Sequence, residues 1–289
     1  MKRIALASCA AWPELTEDDR LLIPALQQLE VEAVPAIWDG PVEWTEFDQV
    51  VVRSCWDYHL RPSQFLGWIE KLEKAGVPVQ NPPPLIRWNA DKRYLRQLRE
   101  SGAFIPDSVW IDDREEASVH KIMDEQDWIS AVVKPTVSAS AHNLRRVFKD
   151  DPAVSLKGPA VVQQFVPEIM SSGEWSLVFL GGDYSHAVIK RPGPGDFRVQ
   201  SEFGGMATFA EPQAEMVDEA RKVLASLPGK PLYARVDGVD CAGRFVLMEV
   251  ELIEPFLFLE MGKAADRFAG KIAGLLNGHG ISDSQYRER

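Results

Sequence analysis

Two apolar segments near the C-terminus carry charges that a buried sheet normally excludes. Alternate residues of a strand share a face, so Arg235 lies beside Asp237 in the first segment and Glu249 beside Glu251 in the second. A turn near residues 242–243 would bring Asp237 opposite Glu249 and place all four charges on one face of a hairpin. Carboxylates this close repel one another unless a cation lies between them. Such oxygen ligands suit Mg²⁺ or Mn²⁺, whereas a solvated outer face of an edge hairpin would explain the same alternation without a metal.

A lysine at the end of an apolar strand is a candidate for binding phosphate. Lys134 closes the segment AVVKP and precedes small residues, TVSAS, at 136–140. The backbone amides of small residues can approach an anion closely, and a lysine beside them would add charge. The alternative is a lysine that only reaches into solvent. Neither GxxxxGK[ST] nor GxGxxG occurs in the chain, so it has no P-loop and no dinucleotide fingerprint.

Charged residues also surround a predicted hairpin in the middle of the chain. Glu174 begins its first strand, and the alternative for this residue is an edge-strand glutamate in water. Lys190, Arg191 and Arg198 are concentrated in and before a glycine-rich loop of an otherwise acidic protein. Local positive charge against the overall sign favours an anionic ligand, although a mobile surface loop would explain it equally.

Another candidate site follows the strand QVVV near the N-terminus, where ligands of open α/β sheets usually bind. Arg53, Trp56 and Asp57 lie just beyond it. Arg53 could pair with a substrate carboxylate, and Trp56 could pack on its apolar part. The alternative is that Arg53 pairs internally with Asp57 or Asp48 and that Trp56 belongs to the core.

Composition excludes several classes of protein. The net charge of −11 over 289 residues argues against sequence-independent binding of nucleic acid, because the phosphate backbone would be repelled. Three scattered cysteines do not make a disulfide framework or a zinc site, and the five histidines show no metal-ligand spacing. No segment approaches the ~18 apolar residues of a membrane span, and the first apolar run is too short for a signal peptide. We therefore expect a cytoplasmic protein without a nucleic-acid or membrane partner.

The secondary structure predicted around these residues changes character along the chain. Strands alternate with helices up to the proline cluster at 82–84, which predicts a small parallel sheet and marks the exit from a first domain. Helices are expected over 16–29, with a bend or end at Pro24, and over 115–126. The later segments mix strands with helices on one side, which indicates α+β modules.

The order of these segments resembles the ATP-grasp superfamily, in particular its glutathione synthetase-like and D-alanine–D-alanine ligase-like branch, near the cycloserine-forming ligase. The resemblance runs from Asp91 to about Leu276. ARVDGV and MEVELIEP are its most specific segments, being similar to the Arg-x-Asp and Glu-x-Asn strands of the family. Two departures stand out: Glu251 occupies the position that is usually Asn, and SASA replaces a loop that is often glycine-rich.

The resemblance implies an α/β and α+β protein with an ATP-grasp fold and an N-terminal Rossmann-like domain. The implied units are an N-terminal substrate domain at 1–84, a small ATP-grasp subdomain at 85–165, a large catalytic subdomain at 166–280 and a flexible tail at 281–289. ATP and Mg²⁺, or Mn²⁺, are the implied ligands.

The resemblance also implies roles for individual residues. Arg235 would stabilise the reacting phosphoryl group and the tetrahedral species, with Lys190 and Arg198 as further catalytic cations, and Asp237, Glu249 and Glu251 would hold two metal ions. The nucleotide would be bound by Lys92, Lys134, the loop residues Ser138 and Ser140, the hinge Gln164, Phe165 and Val166, and the ribose-binding acid Glu174. Arg53, Trp56 and Asp57 would belong to the substrate site.

The implied activity is ATP-dependent ligation of a carboxylate to an amine or related nucleophile through an acylphosphate, with release of ADP and phosphate. A small amino acid or its derivative is the expected substrate, and the sequence is compatible with a homodimer. One alternative is a ligase that modifies a peptide or protein terminus, and another is a Mg-ATP sensor without catalysis. Arg235 argues against the sensor because a sensor needs no group directed at a transition state.

Overall fold

The computed structural model describes residues 1–113, 115–139, 141 and 143–278. Its first part is a parallel sheet in the order β2-β1-β3-β4. The elements are β1 (Lys2–Ser8), α1 (Glu17–Arg20), α2 (Leu22–Gln27), β2 (Val31–Ile37), β3 (Gln49–Ser54), α3 (Pro62–Lys74) and β4 (Val79–Gln80). Every residue of β3 is buried, which explains why its sequence is a continuous apolar run apart from its ends.

The helix expected over 16–29 is divided in two. Thr16 caps α1, and its side-chain oxygen accepts a hydrogen bond from the Asp19 backbone N–H at 3.3 Å. The chain leaves the first helix at Leu21 and begins the second at Leu22. Pro24 has no N–H with which to continue the ladder of the first helix, and this is the physical reason for the break.

The proline cluster at 82–84 opens a helix. Helix α4 (Pro83–Asn89) starts with two prolines in its first turn, where their missing N–H groups cost nothing, and α5 (Tyr94–Glu100) follows. The proline cluster thus ends the first sheet, and it also begins the helical connection to the second sheet.

A second, antiparallel sheet has the order β5-β10-β7-β8. Its elements and their neighbours are β5 (Ser108–Ile111), β6 (Glu116–Ser118), α6 (Val119–Glu125), β7 (Ser130–Pro135), β8 (Arg145–Phe148), β9 (Ser155–Lys157) and β10 (Ala160–Gln164). The helix expected from residue 115 begins only at 119. Ser118 caps it by accepting from the Lys121 N–H, and the preceding residues pair with β9 instead.

The third sheet carries the charged hairpin and has the order β13-β12-β11-β14-β15. Its elements are α7 (Glu168–Ser171), β11 (Glu174–Leu180), β12 (Asp183–Arg191), β13 (Met206–Phe209), α8 (Ala214–Ala225), β14 (Tyr233–Cys241), β15 (Arg244–Glu251) and α9 (Ala264–Leu276). The expected hairpin at 174–191 is confirmed.

One apolar core joins the first sheet to the third. Ile4 and Leu6 of β1 share a buried cluster with Tyr233 of β14 and Phe268 of α9. Asn81 reinforces the junction, because its side chain bonds the backbone of Leu232, Tyr233 and Leu252. Within the described residues, no helix is long and apolar enough to cross a membrane.

Candidate active site

The charged hairpin has the register expected from its sequence. Asp237 on β14 is paired with Glu249 on β15, and Arg235 is paired with Glu251. The strands turn at Ala242 and Gly243, which both have positive φ. The four charged side chains therefore share a face of the sheet, as predicted, and that face lines a cavity.

Cations of the chain itself neutralise the hairpin carboxylates. Arg235 binds Asp237 through two nitrogens, at 2.9 Å from Nε to Oδ1 and 2.8 Å from Nη2 to Oδ2, and it also bonds Glu251. Lys190 lies 3.2 Å from Asp237 and forms a second ion pair with Glu174. Glu249 bonds to a lysine from outside the sheet, as described next.

Lys92 connects the hairpin to the loop after β7. Its ammonium group donates to Glu249 and, at 2.8 Å, to the carbonyl oxygen of Ser138. Its own backbone N–H donates to the Thr136 carbonyl at 2.7 Å. Ser138 is buried at the cavity wall, and Ser140 lies outside the described residues.

Burial and crowding shift the pKa values of these groups in opposite directions. Burial acts to raise the pKa of Asp237, but the attraction of Arg235 and Lys190 outweighs it and holds that pKa well below its usual range. Burial raises the pKa of Glu251 to about 7, because the repulsion of Asp237 and Glu249 adds to it and Arg235 only partly offsets both. Burial likewise raises the pKa of Glu174, although Lys190 opposes it.

A cavity of about 450 Å³ lies where the three sheets meet. Its charged wall is formed by five cations and seven carboxylates, so it carries more negative than positive formal charge: Lys92, Lys134, Lys190, Arg198, Arg235, Glu174, Glu202, Asp237, Glu249, Glu251, Glu254 and Glu260. An anionic ligand in this cavity would need additional cations beside it.

One end of the cavity is formed by the second sheet. Lys134 at the end of β7 is buried, its ammonium lies 3.2 Å from the Gln163 side-chain oxygen, and burial lowers its pKa to about 8. Gln164 ends β10, Phe165 and Val166 follow it, and all three line the same end. The alternative, in which Lys134 only reaches into solvent, is thus wrong.

The loop between β12 and β13 covers this end. Arg198 lines the cavity, but its guanidinium is held by Asp196 at 2.6 Å and lies 3.5 Å from the centre of the Phe203 ring. Phe197 packs edge-on against Phe165, with ring centres 5.9 Å apart.

No group of three His, Cys, Asp or Glu side chains in the described part of the chain is gathered closely enough to hold a metal ion. Asp237, Glu249 and Glu251 face the same cavity, yet each is engaged with a lysine or arginine. Their oxygen donors fit Mg²⁺ chemically, and the excess of carboxylates gives a cation an electrostatic reason to bind.

The N-terminal sheet resembles a domain of known relatives. Residues 4–81 match the family model of the D-cycloserine synthetase DcsG N-terminal domain. The chain is 29% identical over 301 residues to the cycloserine biosynthesis protein DcsG of Streptomyces lavendulae, across 93% of this chain and 97% of that protein. It is 26% identical to a glutathione synthetase of Ralstonia nicotianae, across 80% and 74% of the two chains.

Solved structures extend the similarity over the whole fold. The crystal structure of D-cycloserine synthetase DcsG superimposes with a TM-score of 0.81 at 26% identity, over 95% of this chain and 99% of the other. This chain is an ATP-grasp ligase. A D-alanine–D-alanine ligase from Bacillus anthracis in complex with ATP shares the fold at 15% identity, with a TM-score of 0.66 over 96% of each chain.

Two of the three residues expected to bind substrate in the ligase have structural partners instead. Arg53 is 1% exposed, pairs with Asp19 at 2.8 Å and donates to the Pro255 carbonyl at 2.6 Å. The expectation that it binds a substrate carboxylate is therefore wrong, and so is the specific alternative of Asp57 or Asp48 as its partner. β3 is buried on both faces, so a charge at its end is enclosed rather than presented to the cavity.

Asp57 also lies away from the cavity of the ligase. It bonds the side chain of Arg61 and accepts from the Trp38 indole N–H at 2.8 Å. Trp56, by contrast, lines the cavity, and its indole N–H donates to the Glu254 carbonyl at 3.1 Å.

The segment that follows the hairpin also contributes to the site, although no pattern in the sequence predicts a role for it. Glu254, Phe256 and Phe258 line the cavity of the ligase, and the Arg235 guanidinium donates to the Phe256 carbonyl at 3.0 Å. The signal was present as a charged residue and alternating aromatic residues around Pro255. It could not be interpreted because an irregular segment has no periodicity that assigns its faces.

Proposed function

We propose that this ligase uses ATP to phosphorylate a substrate carboxylate and then joins the resulting acylphosphate to an amine, releasing ADP and phosphate. The single observation that carries the proposal is that Arg235, Lys190, Lys134 and Lys92 converge on one cavity from three strands and from the connection between α4 and α5. A carboxylate lacks a leaving group, and phosphorylation supplies one. Positioning and neutralisation of charge by these cations would do most of the catalytic work.

We assign the nucleotide to the end of the cavity formed by the second sheet. Lys134 and Lys92 would contact its phosphates, the backbone of Gln164 to Val166 would meet the adenine, and Glu174 would bind the ribose. Support comes from the buried ammonium of Lys134, whose lowered pKa would rise again beside a phosphate. The ligase is also similar to solved proteins that bind ATP or magnesium and ADP.

Asp237, Glu249 and Glu251 would hold Mg²⁺ when the nucleotide binds. Magnesium would neutralise charge on the phosphates and stabilise the negative charge that develops in the transition state. Each carboxylate would have to exchange an ion pair with Lys92, Lys190 or Arg235 for the metal, and the released cations would face the phosphates. The raised pKa of Glu251 supports this exchange, since a cation beside it would restore the ionised form.

A small amino acid or amino-acid derivative is the proposed substrate. The cavity of about 450 Å³ must hold both the nucleotide and the substrate. The relatives named for cycloserine and glutathione synthesis support a small substrate. The end of the cavity at Trp56 and Phe256 is the space left for it, because the other end is assigned to the nucleotide.

The experiment is a survey of ADP release by the purified protein with Mg-ATP. The panel contains D- and L-amino acids, O-substituted serines and short peptides, each with and without an added amine, and products are identified by mass spectrometry. We expect ADP release that depends on a small amino acid, with equal amounts of ADP and ligated product. ADP release that only peptides stimulate would indicate a terminus-modifying ligase, and nucleotide binding without any turnover would indicate a sensor.

A further inference from the structure

In the described part of the chain, Glu254 lacks the ion pair that each carboxylate of the charged hairpin has. Asp237, Glu249 and Glu251 are each neutralised by a lysine or arginine. Among the described residues no cation forms an ion pair with Glu254, and burial together with repulsion from Glu251 raises the pKa of its carboxyl well above the usual range. Glu254 nevertheless lines the cavity and is largely removed from solvent. A carboxylate in this position is costly unless a ligand supplies the missing positive charge.

Aromatic residues line the cavity next to the backbone of Glu254. Trp56 holds the backbone of Glu254 through its indole N–H, and its ring lies 6.4 Å from that of Phe256. Phe256 packs edge-on against Phe258 with ring centres 4.9 Å apart. We call Trp56, Phe256 and Phe258 the aromatic wall. Aromatic faces attract cations, and they exclude the water that would otherwise compete for the carboxylate.

Glu254 and the aromatic wall also lie close to the proposed reaction centre. The Phe256 carbonyl accepts a hydrogen bond from Arg235, so the aromatic wall is connected directly to the arginine that we place beside the reacting phosphoryl group. A ligand on Glu254 would therefore lie near Arg235 and next to Trp56, which follows β3 of the first sheet.

We propose that Glu254 and the aromatic wall form a subsite that binds a primary ammonium group of the substrate. The carboxylate supplies the charge and a charge-assisted hydrogen bond, and the rings supply cation–π contacts. The subsite makes the enzyme prefer amino acids over carboxylic acids that lack the amine. This inference rests on the proposed function only for the identity of the molecule that carries the ammonium group.

The direct test uses methylammonium chloride as the probe, with sodium acetate at equal ionic strength as the comparison. The protein is loaded with magnesium and a non-hydrolysable ATP analogue, and binding is followed by the NMR signal of the Trp56 indole N–H, assigned with Trp56→Phe. We expect a saturable shift with methylammonium and none with acetate. Glu254→Gln should weaken that binding about tenfold or more, because it removes a charged hydrogen-bond acceptor without changing the shape of the side chain.

Glu260→Gln is the matched control, since Glu260 lines the same cavity and is exposed; it should leave methylammonium binding unchanged. Unaltered binding in Glu254→Gln, or no saturable shift in the parent protein, would overturn the subsite. Loss of affinity of Glu254→Gln for the magnesium nucleotide would also overturn it, because Glu254 would then belong to the metal site.

The subsite and the proposed function can fail separately. If D-alanine or another amino acid of the panel stimulates ADP release, Glu254→Gln should raise its KM and abolish the preference over the analogue without the amine. Ligase activity with that preference intact would reject the subsite and keep the function. Methylammonium binding at Glu254 without turnover of any panel member would reject the function and keep the subsite.

Discussion

Glu249 provides the cleanest test of the proposed metal site at the level of single residues. Among the described residues its one ion pair is with Lys92, and it is partly exposed, whereas Asp237 is buried between Arg235 and Lys190. We predict that Glu249→Gln lowers the rate of ADP formation by at least ~100-fold and raises the magnesium concentration needed for activity, because a charged metal ligand is lost. Turnover against magnesium concentration measures both.

Glu219→Gln is the control for Glu249→Gln, since Glu219 lies outside the cavity lining and pairs with its helix neighbour Lys222. Near-normal turnover by Glu249→Gln would reject the metal assignment. Asp237→Asn should be equally inactive, but it would also lose stability because Arg235 and Lys190 would each lose one of two carboxylate partners.

Lys134 should make nucleotide binding depend on pH. Its pKa is about 8 in the free protein, so it is charged below that pH and neutral above it. A phosphate favours the charged form, and the affinity for the ATP analogue should therefore fall as the pH rises through 8. We predict that Lys134→Ala weakens binding about tenfold at pH 7 and removes this pH dependence, as measured by calorimetry.

Lys134→Arg should not restore binding, because a planar guanidinium cannot replace a compact ammonium in a buried position. Lys157→Ala, at an exposed lysine of β9, should leave both the affinity and its pH dependence unchanged. A pH dependence that survives in Lys134→Ala would assign the titration to another group.

The sequence predicted the hairpin residues better than the residues of the first sheet. Arg235, Asp237, Glu249 and Glu251 lie on strands whose alternation fixes their face, so their convergence followed from the pattern. Arg53 lies at the end of a strand that is buried on both faces, where alternation carries no information. Its partner Asp19 comes from a short helix 34 residues earlier, and local sequence does not predict such a pairing.

At the scale of elements, the loop between β12 and β13 depends on glycine. A Cβ at Gly205 would lie 2.1 Å from the Val199 carbonyl oxygen, so no other residue fits without moving the loop. The displaced segment includes Arg198 and Phe197, which line the cavity. We predict that Gly205→Ala lowers nucleotide affinity and turnover at least tenfold while the global fold persists, because the clash lies in the loop and not in a strand or helix of the three sheets.

The matched variant is Gly229→Ala, where an added Cβ would meet no atom within 4 Å. Nucleotide titrations and circular dichroism of both variants provide the measurement. Equal affinities in the two variants would show that the loop does not contribute to nucleotide binding.

The sequence predicts best the strands whose apolar residues alternate regularly. The predicted helix boundaries are wrong where a proline or a capping residue interrupts the helical pattern. The hairpin at 174–191 and the hairpin at 233–251 were both evident from alternating apolar residues. The segments over 16–29 and 115–126 have helical composition, yet Pro24 divides the first and the Ser118 cap delays the second. Capping and missing N–H groups determine such boundaries, and periodicity does not record them.

At the scale of the molecule, a buried polar network connects the first sheet to the segment that follows the catalytic hairpin. Arg53 links Asp19 to the Pro255 carbonyl, and its guanidinium lies 4.8 Å from the centre of the Tyr233 ring. Asp18 accepts hydrogen bonds from the backbone N–H groups of Leu257 and Leu259. These contacts hold in place the segment that carries Glu254, Phe256 and Phe258, so the first sheet supports the site without supplying Arg53 to it.

Removal of Arg53 should therefore destabilise the fold rather than alter substrate choice. We predict that Arg53→Ala lowers the free energy of unfolding by about 3–5 kcal/mol, because Asp19 would be left buried and uncompensated. Arg61→Ala removes ion pairs to Asp39 and Asp57 that are partly exposed, and it should cost no more than about 1 kcal/mol. Denaturant unfolding followed by tryptophan fluorescence compares the two variants. If the Arg53→Ala protein is as stable as the parent but shows no amino-acid-stimulated ADP release, Arg53 binds the substrate. If the variant is destabilised but keeps its substrate preference, Arg53 has a structural role.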